Sequence, residues 1–136
     1  MRSLAPMSRA QSASVARSDG ARSTVRKAIG VELDDLNFEE PWLVVDAEVD
    51  GPLNFPGLHG VPEGADLQKL SVMLCDPARP TTIVPGRGNH RRWEFMLLPG
   101  EDDRAMAEPA RVRELIAPWV AGRSCRVVRA ATYRFH

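Results

Sequence analysis

Residues 72–98, VMLCDPARPTTIVPGRGNHRRWEFMLL, constrain the fold more than any other part of the chain. They contain strand-like runs that are separated by the X-Pro dipeptides Asp76-Pro77 and Arg79-Pro80 and by a short Gly/Asn-containing turn. A residue that precedes proline avoids the helical region, so the two dipeptides predict an extended turn. The Gly/Asn turn between Thr81–Val84 and Arg91–Leu98 predicts a hairpin in which these two strands pair antiparallel.

The remaining pattern predicts an α+β domain. β-branched and alternating residues indicate further strands at Trp42–Val49, Gln68–Cys75 and Arg126–Phe135, and Gly, Pro and Asn mark an irregular loop over Gly51–Asp66. Apolar residues on one face of a 3.6-residue period predict a helix over Glu108–Val120. Because long crossover helices between successive strands are lacking, we expect a mostly antiparallel sheet with this one amphipathic helix packed on it.

The N-terminal residues differ in composition from the rest. Residues 1–18 hold three Arg, five Ser and no acidic residue, and we interpret them as a disordered leader to a domain over residues 19–136. Asp19-Gly20 is a turn pair, Ser23 is a suitable N-cap for a short helix, and Gly30 is a suitable C-terminal stop.

Composition excludes several classes of function. Lys+Arg 18 balances Asp+Glu 18, so no overall field attracts nucleic acid or an anionic membrane. No apolar run approaches the roughly 20 residues that span a bilayer, and no signal-peptide core is present, so we expect a cytoplasmic protein. Cys75 and Cys125 lack CxxC spacing and are expected to be free thiols. The histidines show no metal-ligand spacing, so no metal site is assigned.

The octet Asp19–Arg26, DGARSTVR, has the composition of a phosphate-binding turn. Gly20 allows close approach of a ligand to the backbone, and helix-start N–H groups beside Arg22 and Arg26 suit a phosphate. The alternative interpretation is a turn followed by a solvated helix that carries arginines.

Two stretches together resemble a known family. The octet is similar to the DG motif of the FAD-dependent aromatic hydroxylases (class A flavoprotein monooxygenases), and Val72–Asp103 resembles their substrate-side sheet, with the greatest similarity to the 3-(3-hydroxyphenyl)propionate hydroxylase group. The resemblance implies FAD and NAD(P)H as cofactors. It further implies that Asp19, Gly20 and Arg22 lie near the dinucleotide and Arg26 near a phosphate of the nicotinamide cofactor. The chain departs from the motif in having Arg17-Ser18, not a strand and a pair of small residues, before Asp19.

The resemblance also implies that the hairpin strands cover an aromatic substrate. Because strand side chains alternate between faces, Arg92, Glu94 and Met96 share one side and are the candidate substrate-pocket residues. The other side of the strand is expected to pack on a helix and holds Trp93, Phe95 and Leu97. The alternative is that both faces are structural, with Arg92 and Glu94 forming a surface pair worth little energy.

Motifs that hold most of the flavin in this family are absent from the sequence. No GxGxxG follows a strand, and the Gly-Asp motif expected after the last strand is not found. We therefore interpret the chain as the central piece of an aromatic-ring monooxygenase, inactive in isolation, whose full form uses an aromatic small molecule and O₂. Two alternatives are a small-molecule-binding module without catalysis and a half-enzyme complemented by a separate flavin-binding chain.

Overall fold

The computed structural model describes residues 19, 20, 22–34 and 39–135, and the chain divides into two compact units, 1–35 and 36–136. The predicted leader lies outside the described residues. In chain order the elements are α1 (Thr24–Ala28), β1 (Glu40–Val49), β2 (Val72–Leu74), β3 (Thr81–Pro85), β4 (His90–Met96), α2 (Asp103–Met106), α3 (Pro109–Val120) and β5 (Cys125–Phe135).

The first unit contains the short helix α1 with both predicted caps. Ser23 is the N-cap, and its Oγ accepts a hydrogen bond from the Arg26 N–H at 3.0 Å. Gly30 adopts a left-handed φ of 70°, and its N–H donates to the Lys27 carbonyl at 3.2 Å. The Val31 N–H donates to the Arg26 carbonyl at 3.1 Å, which completes a Schellman motif and ends the helix.

The second unit is built on a 5-stranded sheet of order β2-β3-β4-β1-β5, in which every pair is antiparallel. The predicted hairpin is confirmed, since β3 pairs with β4 and the Gly86 N–H closes the turn on the His90 carbonyl at 2.9 Å. A Cβ at Gly86 would lie 2.8 Å from the His90 Cβ, so this turn requires glycine. The predicted antiparallel α+β class is therefore confirmed.

Both helices of the second unit lie on one face of the sheet. The core residues of the strands and helices that meet there are almost fully buried: Leu43, Val45, Ala47, Val49, Ile83, Trp93, Phe95, Leu97, Met106, Val112, Ile116 and Val120. Leu53, from the loop that follows β1, joins the same cluster. The sheet thus has one covered face, and the strands β1, β4 and β3 contribute most of its apolar side chains.

The strand β2 is shorter than the predicted Gln68–Cys75. Gln68 does not pair in the sheet, because its side chain binds both backbone groups of Leu53. Its Oε1 accepts from the Leu53 N–H at 2.8 Å, and its Nε2 donates to the Leu53 carbonyl at 2.9 Å. This residue therefore fixes the loop after β1, and only Val72–Leu74 remains as a strand.

Two further boundaries differ from the sequence prediction. β1 begins at Glu40, two residues before the predicted start, because the Pro41 carbonyl accepts from the Leu97 N–H at 2.9 Å. The helix α2 was not predicted; Asp102 caps it by accepting from the N–H groups of Arg104 and Ala105 at 3.0 and 2.9 Å.

The helix α3 matches the prediction closely. It runs from Pro109 to Val120 with Glu108 as N-cap, and it continues past Pro118. The strands β4 and β5 match their predicted ranges to within two residues. Within the described part of the chain, no helix combines the length and apolar character needed to cross a membrane.

Candidate functional site

The octet Asp19–Arg26 forms a tight turn whose side chains cap α1. Asp19 Oδ2 accepts from the N–H groups of Thr24 and Val25 at 2.8 and 3.3 Å. A hydrogen bond with the Ser23 hydroxyl is the largest cause that lowers the pKa of Asp19, and the two backbone N–H groups act in the same direction. The first N–H donors of α1 are therefore satisfied within the octet, where the sequence predicted that they point outward.

Other parts of the octet remain accessible. Gly20 has a left-handed φ of 73°, and apart from its chain neighbours no residue that the structure describes has an atom within 4 Å of the position that a Cβ would occupy. Arg22 is exposed and Arg26 is half-buried. The assignment of Asp19, Gly20, Arg22 and Arg26 to cofactor binding stays a prediction.

The strand β4 places the candidate pocket residues opposite the core. Trp93 is 0% exposed and Phe95 is 2% exposed on the helix-covered face, whereas Arg92, Glu94 and Met96 lie on the other side. We call this other side the open face. The register gives its members as Trp42, Val44, Asp46, Glu48, Met73, Thr82, Val84, His90, Arg92, Glu94, Met96, Arg126, Arg129, Ala131 and Tyr133.

Arg92 is held on the open face by a two-point ion pair. Its Nε donates to Asp46 Oδ1 at 2.7 Å and its Nη2 to Asp46 Oδ2 at 3.1 Å. These hydrogen bonds are the largest cause that raises the pKa of Arg92. The surface pair between Arg92 and Glu94 considered from the sequence is not formed, because the partner of Arg92 comes from the adjacent strand β1.

Glu94 is the carboxylate of the open face that remains available. Its cross-strand neighbours are Val44 and Thr82, and it makes no hydrogen bond or salt bridge with any residue in the described ranges. It is half-buried, and the charge of Arg92 lies on the same face. A half-buried carboxylate beside an apolar neighbour can accept a strong hydrogen bond from a ligand hydroxyl.

The open face changes from charged to apolar along the strands. Arg92, Asp46 and Arg129 form one cross-strand row, and Met96, Trp42 and Tyr133 form another two rows away. Tyr133 lies under the Arg129 guanidinium, whose Cζ is 5.2 Å from the ring centroid. The face can therefore contact a flat apolar group at one end and polar substituents towards the other.

Comparison with known proteins matches this chain to a group of hydroxylases. It is 36% identical over 123 residues to 3-(3-hydroxy-phenyl)propionate/3-hydroxycinnamic acid hydroxylase 2 of Burkholderia vietnamiensis, and 36% identical over 126 residues to a hydroxylase of the same description from Burkholderia cenocepacia. An Escherichia coli hydroxylase of this description is 31% identical over 99 residues. By sequence, the chain is similar to one segment of these hydroxylases. The resemblance seen in the octet and the hairpin is confirmed.

The match covers most of this chain and a small part of its relatives. It includes 90% of the chain for the two Burkholderia hydroxylases and 73% for the Escherichia coli hydroxylase. The chain spans about one fifth of the length of the Burkholderia relatives. No protein-family model matches the chain, and no solved structure matches it.

Sequence reasoning missed the ion pair between Arg79 and Glu101. Arg79 Nη1 and Nη2 donate to Glu101 Oε2 and Oε1 at 2.5 and 2.6 Å, and Glu101 Oε2 also accepts from the Leu98 N–H at 2.8 Å. The hydrogen bonds from Arg79 are the largest cause that lowers the pKa of Glu101 to about 2. No local pattern in the sequence could reveal this pair, because the two residues lie 22 positions apart in the chain.

Cys75 is exposed, Cys125 is half-buried, and both are free thiols. Burial raises the pKa of the Cys125 thiol. Among the residues that the structure describes, no three His, Cys, Asp or Glu side chains are grouped so as to hold a metal ion.

Proposed function

We propose that this chain is the substrate-side segment of an enzyme that uses FAD, NAD(P)H and O₂ to hydroxylate an aromatic ring. The observation that carries the proposal is the 36% identity over 90% of the chain to hydroxylases whose descriptions name 3-(3-hydroxyphenyl)propionate and 3-hydroxycinnamic acid. The open face supports it, because it combines an apolar row with a carboxylate that makes no hydrogen bond or salt bridge with the described residues.

The open face would bind and orient the aromatic substrate. In this role Trp42 and Met96 contact the ring and exclude water, and the Glu94 carboxylate accepts a hydrogen bond from a ring hydroxyl. Asp46 holds the Arg92 guanidinium at a fixed position on the same face through two hydrogen bonds. Fixed polar groups beside an apolar surface select the orientation of a small ligand.

The octet would contribute to cofactor binding. FAD, when bound, supplies the redox chemistry, and the protein supplies binding, orientation and protection from water. Asp19 holds the turn by capping α1, which leaves the open backbone of Gly20 and the Arg22 side chain to approach a diphosphate. Arg26 follows on α1 and is proposed to lie near a phosphate of NAD(P)H.

A chimeric enzyme tests this function. The matching segment of the Burkholderia vietnamiensis hydroxylase is replaced by this chain, and hydroxylated product is measured with NADH or NADPH and 3-(3-hydroxyphenyl)propionate. We expect a flavin-containing chimera that forms product. Replacing Glu94 by alanine in the chimera is expected to lower kcat/KM by about tenfold without changing the flavin content, since one charge-assisted hydrogen bond to substrate is lost.

Glu114→Ala in the same chimera is the matched control, because Glu114 is an exposed carboxylate on α3 and does not lie on the open face. It should leave kcat/KM unchanged. A chimera that folds and binds FAD but forms no product with this or any other hydroxylated aromatic acid would contradict the proposal. The unmodified chain binding an aromatic acid tightly without flavin would favour a binding module without catalysis.

A further inference from the structure

The strand β5 contains a bulge that places Arg129 on the open face. Val127 pairs with Ala47 of β1, and its side chain packs against the core. Arg129 pairs with Asp46, the adjacent residue of β1, so Val128 is left without a partner on that strand. Simple alternation from Val127 would put Arg129 on the covered face. The extra residue reverses the alternation and turns the Arg129 side chain to the open side.

Arg129 differs from the other cations described on the open face in having no acidic partner. Arg92 and Arg126 are each held by a carboxylate of β1, at 2.7 and 2.6 Å, and His90 contacts the same carboxylate as Arg126 at 3.3 Å. Arg129 makes no hydrogen bond or salt bridge with any residue in the described ranges, and its guanidinium lies over the Tyr133 ring. Its N–H groups are therefore available to an anion from outside this segment.

Arg129 and Glu94 lie at opposite ends of a short apolar floor. They belong to β5 and β4, which flank β1 and are on the order of 10 Å apart at the usual strand spacing. The floor between them is made by Val44, which is 7% exposed, and the half-buried Ala131, both in the same cross-strand row as Glu94. Because Ala131 lies between Arg129 and Tyr133 on β5, a guanidinium that reaches the Tyr133 ring passes alongside this floor.

We propose that Arg129 binds the carboxylate of the substrate and thereby determines specificity for aromatic acids over neutral phenols, an inference that rests on the proposed function. The ring hydroxyl is bound at Glu94, the ring lies over Val44 beside the apolar row, and the acid side chain extends past Ala131 to Arg129. A guanidinium offers two parallel N–H donors to a carboxylate. The Tyr133 ring holds the guanidinium without neutralising its charge, so less side-chain freedom is lost when the anion binds.

The chimeric enzyme tests this assignment with two ligands that differ in charge, 3-(3-hydroxyphenyl)propionate and its neutral amide, 3-(3-hydroxyphenyl)propanamide. Arg129→Gln is expected to lower kcat/KM for the acid by about tenfold or more and to leave the value for the amide within about twofold, since only the acid loses a charge-assisted contact. Arg126→Gln is the matched control, because Arg126 lies on the same strand and face but is bound to Glu48. It should change neither value. Flavin content and circular dichroism establish that each variant is folded.

Binding is measured separately from turnover, by equilibrium dialysis of each ligand against the same chimera. The acid should bind more tightly than the amide, Arg129→Gln should remove that preference, and Arg129→Lys, which keeps the charge, should restore part of it. Equal losses for acid and amide, no loss for the acid, or the same loss in Arg126→Gln would each overturn the assignment. A chimera that forms no product from either ligand contradicts the proposed function alone, since dialysis still decides whether Arg129 discriminates between them. Absence of acid binding would overturn both.

Discussion

At the scale of single residues, the pair of Arg79 and Glu101 joins two turns that are distant in sequence. Each side chain is about one fifth exposed, so the pair is screened less than an ordinary surface ion pair. Because the folded-state pKa of Glu101, about 2, lies below the ordinary value of 4.5, the pair stabilises the fold above pH 4.5. That contribution is lost as the pH falls from 4.5 towards 2.

Glu101→Gln tests this contribution. We expect the free energy of unfolding to fall by about 2 kcal/mol at neutral pH, because the Arg79 guanidinium loses its charged partner. The difference from the unmodified protein should shrink as the pH approaches 2. Urea denaturation at several pH values measures both effects.

Glu114→Gln provides the comparison for that experiment. Glu114 pairs with Arg111 at 3.1 Å, but its side chain is 67% exposed. Its replacement should cost less than about 0.5 kcal/mol at any pH. Equal effects of the two substitutions, or a constant effect of Glu101→Gln across the pH range, would show that the Arg79 pair is no stronger than a surface pair.

At the scale of elements, the helix α3 contains Pro118, a residue that lowers the stability of the helix. The Pro118 nitrogen carries no hydrogen and cannot donate to the Glu114 carbonyl, yet the helix continues to Val120. The loop after β1 fixes this end, since the Asn54 N–H donates to the Trp119 carbonyl at 2.7 Å. Tertiary contacts therefore maintain a helical turn that its local sequence disfavours.

Pro118→Ala is expected to raise the free energy of unfolding by about 1 kcal/mol, since a backbone hydrogen bond is gained and only part of that gain is offset by the more flexible unfolded chain. Thermal unfolding followed by circular dichroism measures the change. Pro109→Ala is the control, because Pro109 lies in the first turn, where proline is favourable, and should give no gain. A loss of stability in Pro118→Ala alone would contradict this account.

The elements that could be predicted from the sequence are those whose own residues determine them. α3 has a clear apolar period, and β3 and β4 are joined by a turn that requires glycine, so both were placed closely. The helix α2 was missed because its short sequence has no period, and its start depends on the Asp102 cap. The strand β2 was predicted too long, because Gln68 binds Leu53 and does not pair with a neighbouring strand.

The same distinction applies to the candidate site. Alternation along β4 placed Arg92, Glu94 and Met96 on one face correctly, because the two-residue period is a local property of a strand. The partner of Arg92 could not be predicted, since Asp46 reaches it only through the register between β1 and β4.

At the scale of the whole molecule, the sequence contains no GxGxxG with which to seat a flavin diphosphate. We therefore expect the purified 136-residue chain to show no flavin absorbance and no oxidation of NADH or NADPH with added FAD. The Burkholderia vietnamiensis hydroxylase, assayed under the same conditions, is the positive control. Stoichiometric flavin in the purified chain, or FAD-dependent NAD(P)H oxidation, would contradict this expectation.

The strand order has a consequence for biosynthesis. Among the strands that the structure describes, β1 is translated first, yet both of its neighbours, β4 and β5, are translated after the whole of β2 and β3. A nascent chain must therefore carry the apolar β1 without either partner while the intervening residues are made. The strand β1 therefore lacks its last neighbour until Phe135 has been translated.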